Sequence, residues 1–389
     1  MGILTRILSK IDNKYFSYDD VKLSNEDNEV FYNYNYYNQK LNKKALLSYV
    51  SEPFFKSQEP SLFNPYGTSI TIARVLNELG YEVDIINLWD VGYKIRKDYD
   101  LFFGHCNFNF KEISKQLSKK TVKIFYINTA PYNSFDSQSE KRYSRFIKSR
   151  NINNNINFKR IQNSDYDSFK IADKIISLGK RTTELIEEEF QNKTFYINNA
   201  IYPINYKKQP IQIKNNSNFI FQSGTSGNIQ KGTDIVIEAF SKLINQHLFI
   251  DCKLEADILK YYSKELKRKN IHYIYYARKN KWLRKQFYKN INFSIGTGIL
   301  TGQNTAFISS LHYGFVPIMT ESMDININEK KLFFKSEKID DLVFKIKEVS
   351  NYKEDEMERL NKIVNDFTMK NHTISNFSKM MKKAIEISY

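Results

Sequence analysis

The stretch NFIFQSGTSGNIQKGTDIVIEAF, residues 218–240, determines the fold that we expect for this chain. It begins as a short apolar strand, passes through a loop that contains Gly224, and continues from Lys231 and Gly232 into an amphipathic helix. A strand that leads directly into a helix is the repeating unit of a parallel sheet. The start of such a helix offers backbone N–H groups to an anion such as a phosphate. The loop matches neither the Walker A pattern nor GxGxxG.

The same strand–helix alternation runs through most of the chain. Before the stretch, from residue 43 onward, apolar strands such as YEVDIINLW and TVKIFYIN alternate with helices such as TSITIARVLNELG. A Pro-, Asn- and Lys-containing linker at 206–218 separates two such series. The pattern predicts an α/β protein with two doubly wound, Rossmann-like domains that face a cleft. We predict domains at 1–205 and 206–368, with a helix at 369–389 that packs back on the first domain.

Composition restricts the class of protein. The 389 residues carry 59 Lys and Arg against 43 Asp and Glu, a net charge of +16. Such a charge suits nucleic acid, an anionic membrane surface or phosphate-bearing small molecules, and a Lys-rich coding bias would also produce it. No nucleic-acid-binding motif accompanies the charge, so we expect no nucleic-acid partner. Cys106 and Cys252 stand far apart, which argues against a disulfide scaffold or a zinc ribbon and favours a reducing cytoplasm.

The chain has no apolar run of the roughly 20 residues that a membrane-spanning helix needs. Its first residues also lack the pattern of a signal peptide. Apolar residues at helical spacing over 3–11, with basic residues between them, are typical of a helix that lies on an anionic membrane or one that docks on its own domain. We therefore expect a cytoplasmic protein, with a peripheral position on the inner face of the membrane as the open alternative.

A second loop repeats the pattern of the first. In GTGILTGQNTAFISSLHYGFVPIMT, residues 296–320, a strand ends at Gly296 and a helix begins near Asn304 or Thr305, both of which are good N-cap residues. Carboxyl ends of parallel strands lie on one edge of a sheet, so the starts of the two helices would converge on one cleft. Two helix N-termini there could hold a diphosphate, and an ordinary βαβ unit with ordinary caps is the alternative.

In order, these segments resemble the GT-B glycosyltransferases, specifically the large retaining family 4 and its group-1 relatives. The first loop shares Lys231, Gly232 and Asp234 with the family pattern, and the second shares Gly302 and Pro317. The resemblance covers roughly 45–365. It implies a hexosyl- or related transferase that moves a sugar from a nucleotide-sugar to a glycan or lipid-linked acceptor with retention, in surface polysaccharide synthesis, without a metal or other cofactor.

The resemblance also implies a donor site on the two loops. Its members are Gly224, Thr225, Ser226, Lys231, Thr301, Gly302, Gln303, Asn304, Thr305 and Ser309. The sequence departs from the family here, because the acidic pair that holds the donor ribose falls on Thr301 and Ser309. The phosphate-binding arginine falls on Ser226, so Lys231 alone retains its charge. These departures motivate an alternative, a catalytically silent GT-B domain that serves for binding or as a scaffold.

Candidate residues of the first domain follow its strands or open its helices. His105 comes directly after the strand DLFFG, where a cleft histidine could orient a sugar hydroxyl or move a proton, although a purely structural histidine fits equally well. For substrate binding we expect Gly67 and Thr68, which open the first helix, and Asn128 and Thr129, which follow the strand KIFYI.

Metal binding is not expected. The D-x-D patterns at 98–100 and 165–167 are polar segments that lead into regular structure, and the five histidines form no HxxxH pair.

Overall fold

The structure is a computed structural model. It describes residues 35–54, 64–90, 92–105, 107–152, 165–201, 217–224, 226–300, 302–335 and 338–387. All of these residues belong to one compact unit that spans residues 32–389. The amphipathic pattern at 3–11 and nearly all of the linker expected at 206–218 lie outside the described residues. Below, the first half means the described residues up to Ile201, and the second half means those from 217 to Asn371.

The first half contains a six-stranded parallel sheet in the order β2-β1-β3-β4-β5-β6. Its elements are β1 (Lys43–Tyr49), α1 (Asn64–Glu78), β2 (Tyr81–Asn87), β3 (Leu101–Gly104), α2 (Asn107–Ser114), β4 (Val122–Ile127), α3 (Tyr132–Ser149), α4 (Tyr166–Ile171), β5 (Lys174–Leu178), α5 (Lys180–Glu184) and β6 (Thr194–Ile197).

The second half contains a five-stranded parallel sheet in the order β11-β10-β7-β8-β9. Its elements are β7 (Asn218–Phe221), α6 (Thr233–Ser241), β8 (His247–Ile250), α7 (Ala256–Tyr261), β9 (Ile271–Tyr273), α8 (Lys281–Tyr288), β10 (Phe293–Gly296), α9 (Thr305–His312), β11 (Val316–Met319), α10 (Ile339–Ser350) and α11 (Glu354–Asn371). A last helix, α12 (Ile374–Glu386), follows it. The prediction of an α/β protein with two doubly wound sheets is confirmed.

Burial explains why these segments form the elements that they do. The strand β1 has Ala45, Leu46 and Leu47 fully buried, so both faces of the sheet are covered, as in other parallel sheets. On α1, Ile72, Val75 and Leu76 are fully buried at helical spacing. Short apolar runs therefore become buried strands, and amphipathic segments become the helices that cover them.

Two helices cross between the halves. The helix α3 follows a strand of the first sheet, yet its Tyr143 and Phe146 are part of the hydrophobic core of the second half. The helix α12 contacts α1 and β6, and its Phe377 and Met381 lie in the core of the first half. These two helices therefore join the two halves. The domain limits at 205/206 and 368/369 stay predictions.

Candidate functional site

The loop between β7 and α6 carries the cation that the sequence singles out. Gly224 has a φ of +86°, which favours glycine, and a Cβ atom there would lie 3.2 Å from Lys231 Nζ. The lysine ammonium therefore lies beside Gly224, in the loop that follows β7. Ser226, at the position of the family arginine, is exposed to solvent, and Thr225 lies outside the described residues.

Part of this loop is occupied by a carboxylate of the chain itself. The Gly227 and Asn228 N–H groups donate to the two carboxylate oxygens of Glu255, at 3.0 and 2.9 Å, and Glu255 N donates to Asn228 Oδ1 at 2.7 Å. Charge-assisted hydrogen bonds of this kind are stronger than neutral ones. A phosphate at this loop would therefore bind on the side of Lys231 rather than at these two N–H groups.

The start of α6 packs against the end of β10. Gly232 is the N-cap residue with a φ of +77°, and a Cβ atom there would lie 2.5 Å from Thr297 Oγ1. The Thr297 hydroxyl in turn donates to the Lys231 carbonyl at 3.1 Å. Only glycine satisfies both the backbone conformation and this close approach. The two predicted loops are thus brought together at the same edge of the sheet.

The second loop leads into α9 as the sequence predicts. The Asn304 side chain caps the helix by accepting hydrogen bonds from the Ala306 and Phe307 N–H groups at 2.9 and 3.2 Å. The Ser309 hydroxyl donates to the Thr305 carbonyl at 3.0 Å, within the helix. Thr301 lies outside the described residues.

Gln303 connects the two halves. Its side-chain Oε1 accepts from Asn199 N at 2.7 Å, and its Nε2 donates to Asn198 Oδ1 and to the Asp324 carbonyl, at 3.1 and 3.0 Å. Asn199 Nδ2 donates to the Gln303 carbonyl at 2.8 Å and to Thr305 Oγ1 at 3.0 Å. Gln303 is only 3% exposed, so its amide is used within the protein. The role of this residue in donor binding stays a prediction.

Gly302 brings the loop after β4 into contact with the loop before α9. It has a φ of +70°, and a Cβ atom there would lie 2.6 Å from the carbonyl oxygen of Asn128 and 3.6 Å from Thr129 Cα. The structure thus brings together residues that we predicted separately for the donor and for the second substrate. Whether they bind either substrate stays a prediction.

His105 lies near this contact, at the end of β3. Its Nδ1 is 2.7 Å from the carbonyl oxygen of Tyr126, which can only accept, so Nδ1 carries the proton and Nε2 is the unprotonated nitrogen. Burial lowers the pKa of His105, partly offset by that backbone hydrogen bond. Its ring packs edge-on against Tyr49, whose hydroxyl is hydrogen-bonded to the Asn128 side chain. A neutral imidazole here could accept a hydrogen bond from a hydroxyl.

Gly67 and Thr68 differ from the prediction that they open the first helix. Helix α1 begins at Asn64, so these two residues lie at the end of its first turn, and the Gly67 carbonyl accepts from Thr71 Oγ1 at 2.8 Å. Thr68 is 8% exposed. The helix N-terminus that an anion could approach therefore lies a turn earlier.

Sequence reasoning missed one residue that organises the junction of the halves, Asp324. Its backbone is left-handed, with a φ of +56°, and its buried carboxylate accepts from the Arg181 and Thr182 N–H groups at 3.0 and 3.1 Å. The second half thereby caps α5 of the first. A Cβ atom at Gly179 would lie 2.0 Å from Asp324 Oδ2, so only glycine fits before the helix. No local sequence pattern indicates this contact.

Sequence reasoning also missed three arginines of α3 and the residue after it, Arg142, Arg145 and Arg150. Arg145 pairs with Asp234, a fully buried residue in the first turn of α6, and lies 3.4 Å from Glu238. The spacing of three residues between Arg142 and Arg145 predicts that these two side chains lie on one face of the helix. It would not have identified the other half as the partner.

One aspartate of each D-x-D pattern has a partner within the first half. Asp100 Oδ2 accepts from Lys44 N at 2.7 Å, and Asp167 pairs with Lys111 at 2.6 Å. Across the described parts of the chain, no three His, Cys, Asp or Glu side chains come together as a metal site would require. None of the helices that the structure describes is both long and apolar enough to cross a membrane.

Comparison with known proteins depends on structure rather than sequence. No model of a known protein family matches this chain, and no curated protein matches it. Among solved structures, the lipopolysaccharide outer core galactosyltransferase WaaB superposes with a TM-score of 0.58 at 11% identity, over 88% of this chain and 99% of that one. OtsA superposes with a TM-score of 0.58 at 10% identity, over 89% and 100%.

HepE of Anabaena, solved in complex with UDP and glucose, gives a TM-score of 0.55 at 11% identity, over 88% of this chain and 99% of that one. The chain has the GT-B fold. TarM gives a TM-score of 0.52 at 12% identity, and the match spans 74% of this chain but only 55% of TarM. At these identities the comparisons establish the fold alone.

Proposed function

We propose that this protein is a glycosyltransferase that moves a sugar from a nucleotide-sugar donor to an acceptor. The observation that carries the proposal is the position of Lys231 beside Gly224, in the loop after β7 that packs against the end of β10. A lysine ammonium and the start of α9 would together neutralise the leaving diphosphate. The GT-B fold supports this reading, since HepE was solved with UDP and glucose.

The first half would supply the acceptor side. Asn128 and Thr129 lie against Gly302, and His105 lies behind them with its Nε2 unprotonated. A neutral imidazole suits a hydrogen bond to a sugar hydroxyl. We propose a glycan or lipid-linked acceptor, transfer of a hexose or related sugar with retention, and a role in surface polysaccharide synthesis. We also propose that the protein is cytoplasmic and lies at the inner face of the membrane, because its charge of +16 favours an anionic surface.

The test is a mass-spectrometric screen for nucleotide released from UDP-, GDP- and ADP-sugars. We expect one donor class to be consumed, with Lys231→Ala losing most of the rate. Lys242→Ala is the matched control, because Lys242 lies on the surface just after α6 and pairs with Asp340 at 2.7 Å. Equal rates for Lys231→Ala and the wild type would contradict the proposed role of Lys231.

The alternative is a catalytically silent GT-B domain that binds a partner. Two observations favour it: Glu255 occupies two N–H groups of the first loop, and the Gln303 amide is used between the halves. This reading predicts no release of nucleotide and no thermal stabilisation by any of the three donor classes. Thermal stabilisation that Lys231→Ala abolishes would exclude it.

A further inference from the structure

Asn199 holds the loop before α9 through both its backbone and its side chain. It lies just after β6 and is only 3% exposed. Its N–H group donates to Gln303 Oε1 at 2.7 Å, and its side-chain Nδ2 donates to the Gln303 carbonyl at 2.8 Å and to Thr305 Oγ1 at 3.0 Å. Thr305 is the first residue of α9. A buried residue of the first half therefore holds the start of a helix of the second.

His372, which follows α11, fixes the backbone of Asn199. Its Nδ1 is 2.7 Å from the Asn199 carbonyl oxygen, which can only accept, so Nδ1 carries the proton. The ring is fully buried, and burial lowers the pKa of His372 to about 4, so the ring is neutral near pH 7. Slightly further along the chain, the Ile201 N–H group donates to the His372 carbonyl at 3.4 Å. The segment that carries Asn199 is thus held by the chain between α11 and α12.

The last residue of α9 contacts the same histidine. His312 Nε2 donates to the His372 carbonyl at 3.0 Å. Asn199 thus binds the first residue of α9, and His372 binds both Asn199 and the last residue of that helix. The eight residues of α9 span about 12 Å, so the network fixes the helix at both ends. Tilting or sliding α9 would break at least one of these hydrogen bonds.

The position of the loop before α9 decides what it can bind. Gln303 and Thr305, which receive the hydrogen bonds of Asn199, belong to the proposed donor site. Groups that neutralise a leaving diphosphate are most effective when they are held in place before the donor arrives. A misplacement of about 1 Å can cost roughly a hundredfold in rate. Loss of the Asn199 amide would therefore weaken donor binding by releasing this loop.

We propose that Asn199 is a positioning residue for the donor, which holds the loop before α9 and the start of that helix in the arrangement that binds the diphosphate. With 3% of its surface exposed, Asn199 acts through Gln303 and Thr305 rather than by contact with the nucleotide. This role rests on the proposed function, because it requires that the donor binds at this loop. It makes donor affinity depend on a residue of the first half.

The test measures the dissociation constants of UDP, GDP and ADP by calorimetry for the wild type and for Asn199→Leu. Leucine has nearly the shape of asparagine but donates no side-chain hydrogen bond, so the two bonds from Nδ2 are lost while the backbone bonds remain. We expect the nucleoside diphosphate that the wild type binds to bind about tenfold more weakly to Asn199→Leu, as the loss of two hydrogen bonds predicts.

Asn270→Leu is the matched control. Asn270 is also buried, at 5% exposed, and its Nδ2 donates to three carbonyls of the second half, those of Phe240, Leu243 and Gln246, at 3.0, 3.1 and 3.1 Å. It precedes β9, at the sheet edge opposite the two loops of the candidate donor site. The control should therefore lower Tm at least as much as Asn199→Leu, while the affinity for the diphosphate changes by less than about twofold.

The outcomes separate the two proposals. If the wild type binds none of the three nucleoside diphosphates, the proposed function fails and the role of Asn199 fails with it. If the wild type binds one, and Asn199→Leu binds it as tightly or loses no more affinity than Asn270→Leu, Asn199 is structural and its positioning role alone is overturned. Should Asn199→Leu not fold, Asn199→Ala decides, because it removes the same two bonds from a smaller side chain. Below its Tm, it must show the same selective loss of affinity against Asn270→Ala.

Discussion

Replacing Asp324 by alanine tests how firmly the second half holds the first. The carboxylate accepts hydrogen bonds from Arg181 N at 3.0 Å, Thr182 N at 3.1 Å and Thr182 Oγ1 at 3.2 Å, and it is 1% exposed. Hydrogen bonds to charged groups contribute about 1.5–3 kcal/mol each. Burial raises the pKa of Asp324, which shows that desolvation offsets part of this gain. We expect Asp324→Ala to lower the free energy of unfolding by about 3 kcal/mol, somewhat more than the loss of a strong N-cap residue, because the carboxylate accepts an additional hydrogen bond.

Thermal unfolding measures this loss. An entropy of unfolding of about 0.7 kcal/mol/K, reasonable for a unit of this size, converts 3 kcal/mol into a fall in Tm of about 4 °C. Asp324→Asn keeps one acceptor oxygen and the side-chain volume, so about half of that fall is expected. Asp340→Ala is the surface control, because its side chain is 85% exposed in a single ion pair, and it should shift Tm by less than about 1 °C. If Asp324→Ala and the control Asp340→Ala have the same Tm, the Asp324 carboxylate does not stabilise the junction of the halves.

Three further predictions concern single positions. Gly302→Ala should lower the free energy of unfolding, measured with denaturant, by about 2 kcal/mol or more, because the new Cβ meets the Asn128 carbonyl at 2.6 Å and the φ of +70° is strained for alanine. A variant as stable as the wild type would contradict this close approach. Burial lowers the pKa of His372 to about 4, so the unfolded chain binds the extra proton first. The contribution of this one residue to stability should fall by about 1.4 kcal/mol per pH unit as pH drops from about 6.5 towards 4, and His372→Gln should reduce the slope of the whole protein by about that amount. Burial raises the pKa of the Cys252 thiol to about 11, so it should react with a thiol reagent only after unfolding, and prompt labelling of the native protein would contradict its burial.

Local patterns were sufficient for the fold because each element carries its own signal. The apolar runs of β2 and β4, the spacing of Ile72, Val75 and Leu76 on α1, and Asn304 at the start of α9 all lie within a few residues of what they specify. Alternation of strands and helices then restricts the topology to parallel sheets. The GT-B arrangement was implied by the resemblance of the ordered sequence motifs to that family.

The junction of the halves could not be predicted in this way, because its partners are distant in sequence. Gln303 meets Asn199 across 104 residues, and Asp324 meets Thr182 across 142. Neither residue type favours one partner over another, so only the folded backbone specifies the pairing. A polar residue on a loop therefore gives the same sequence signal whether it binds a ligand or another part of the chain.

This ambiguity bears directly on the candidate donor site. The sequence suggests Gln303 as a donor ligand, and the structure uses its amide to join the halves, while Gly302 lies against the Asn128 carbonyl from the first half. The loop before α9 therefore takes its conformation from contacts with both halves. Arg142 of the first half also donates a hydrogen bond to the Thr297 carbonyl in this loop. A nucleotide that binds this loop would therefore depend on residues of the first half that hold the loop in place. The same substitutions should therefore change both donor binding and the contact between the halves. If the halves were independent domains, no such coupling would be expected.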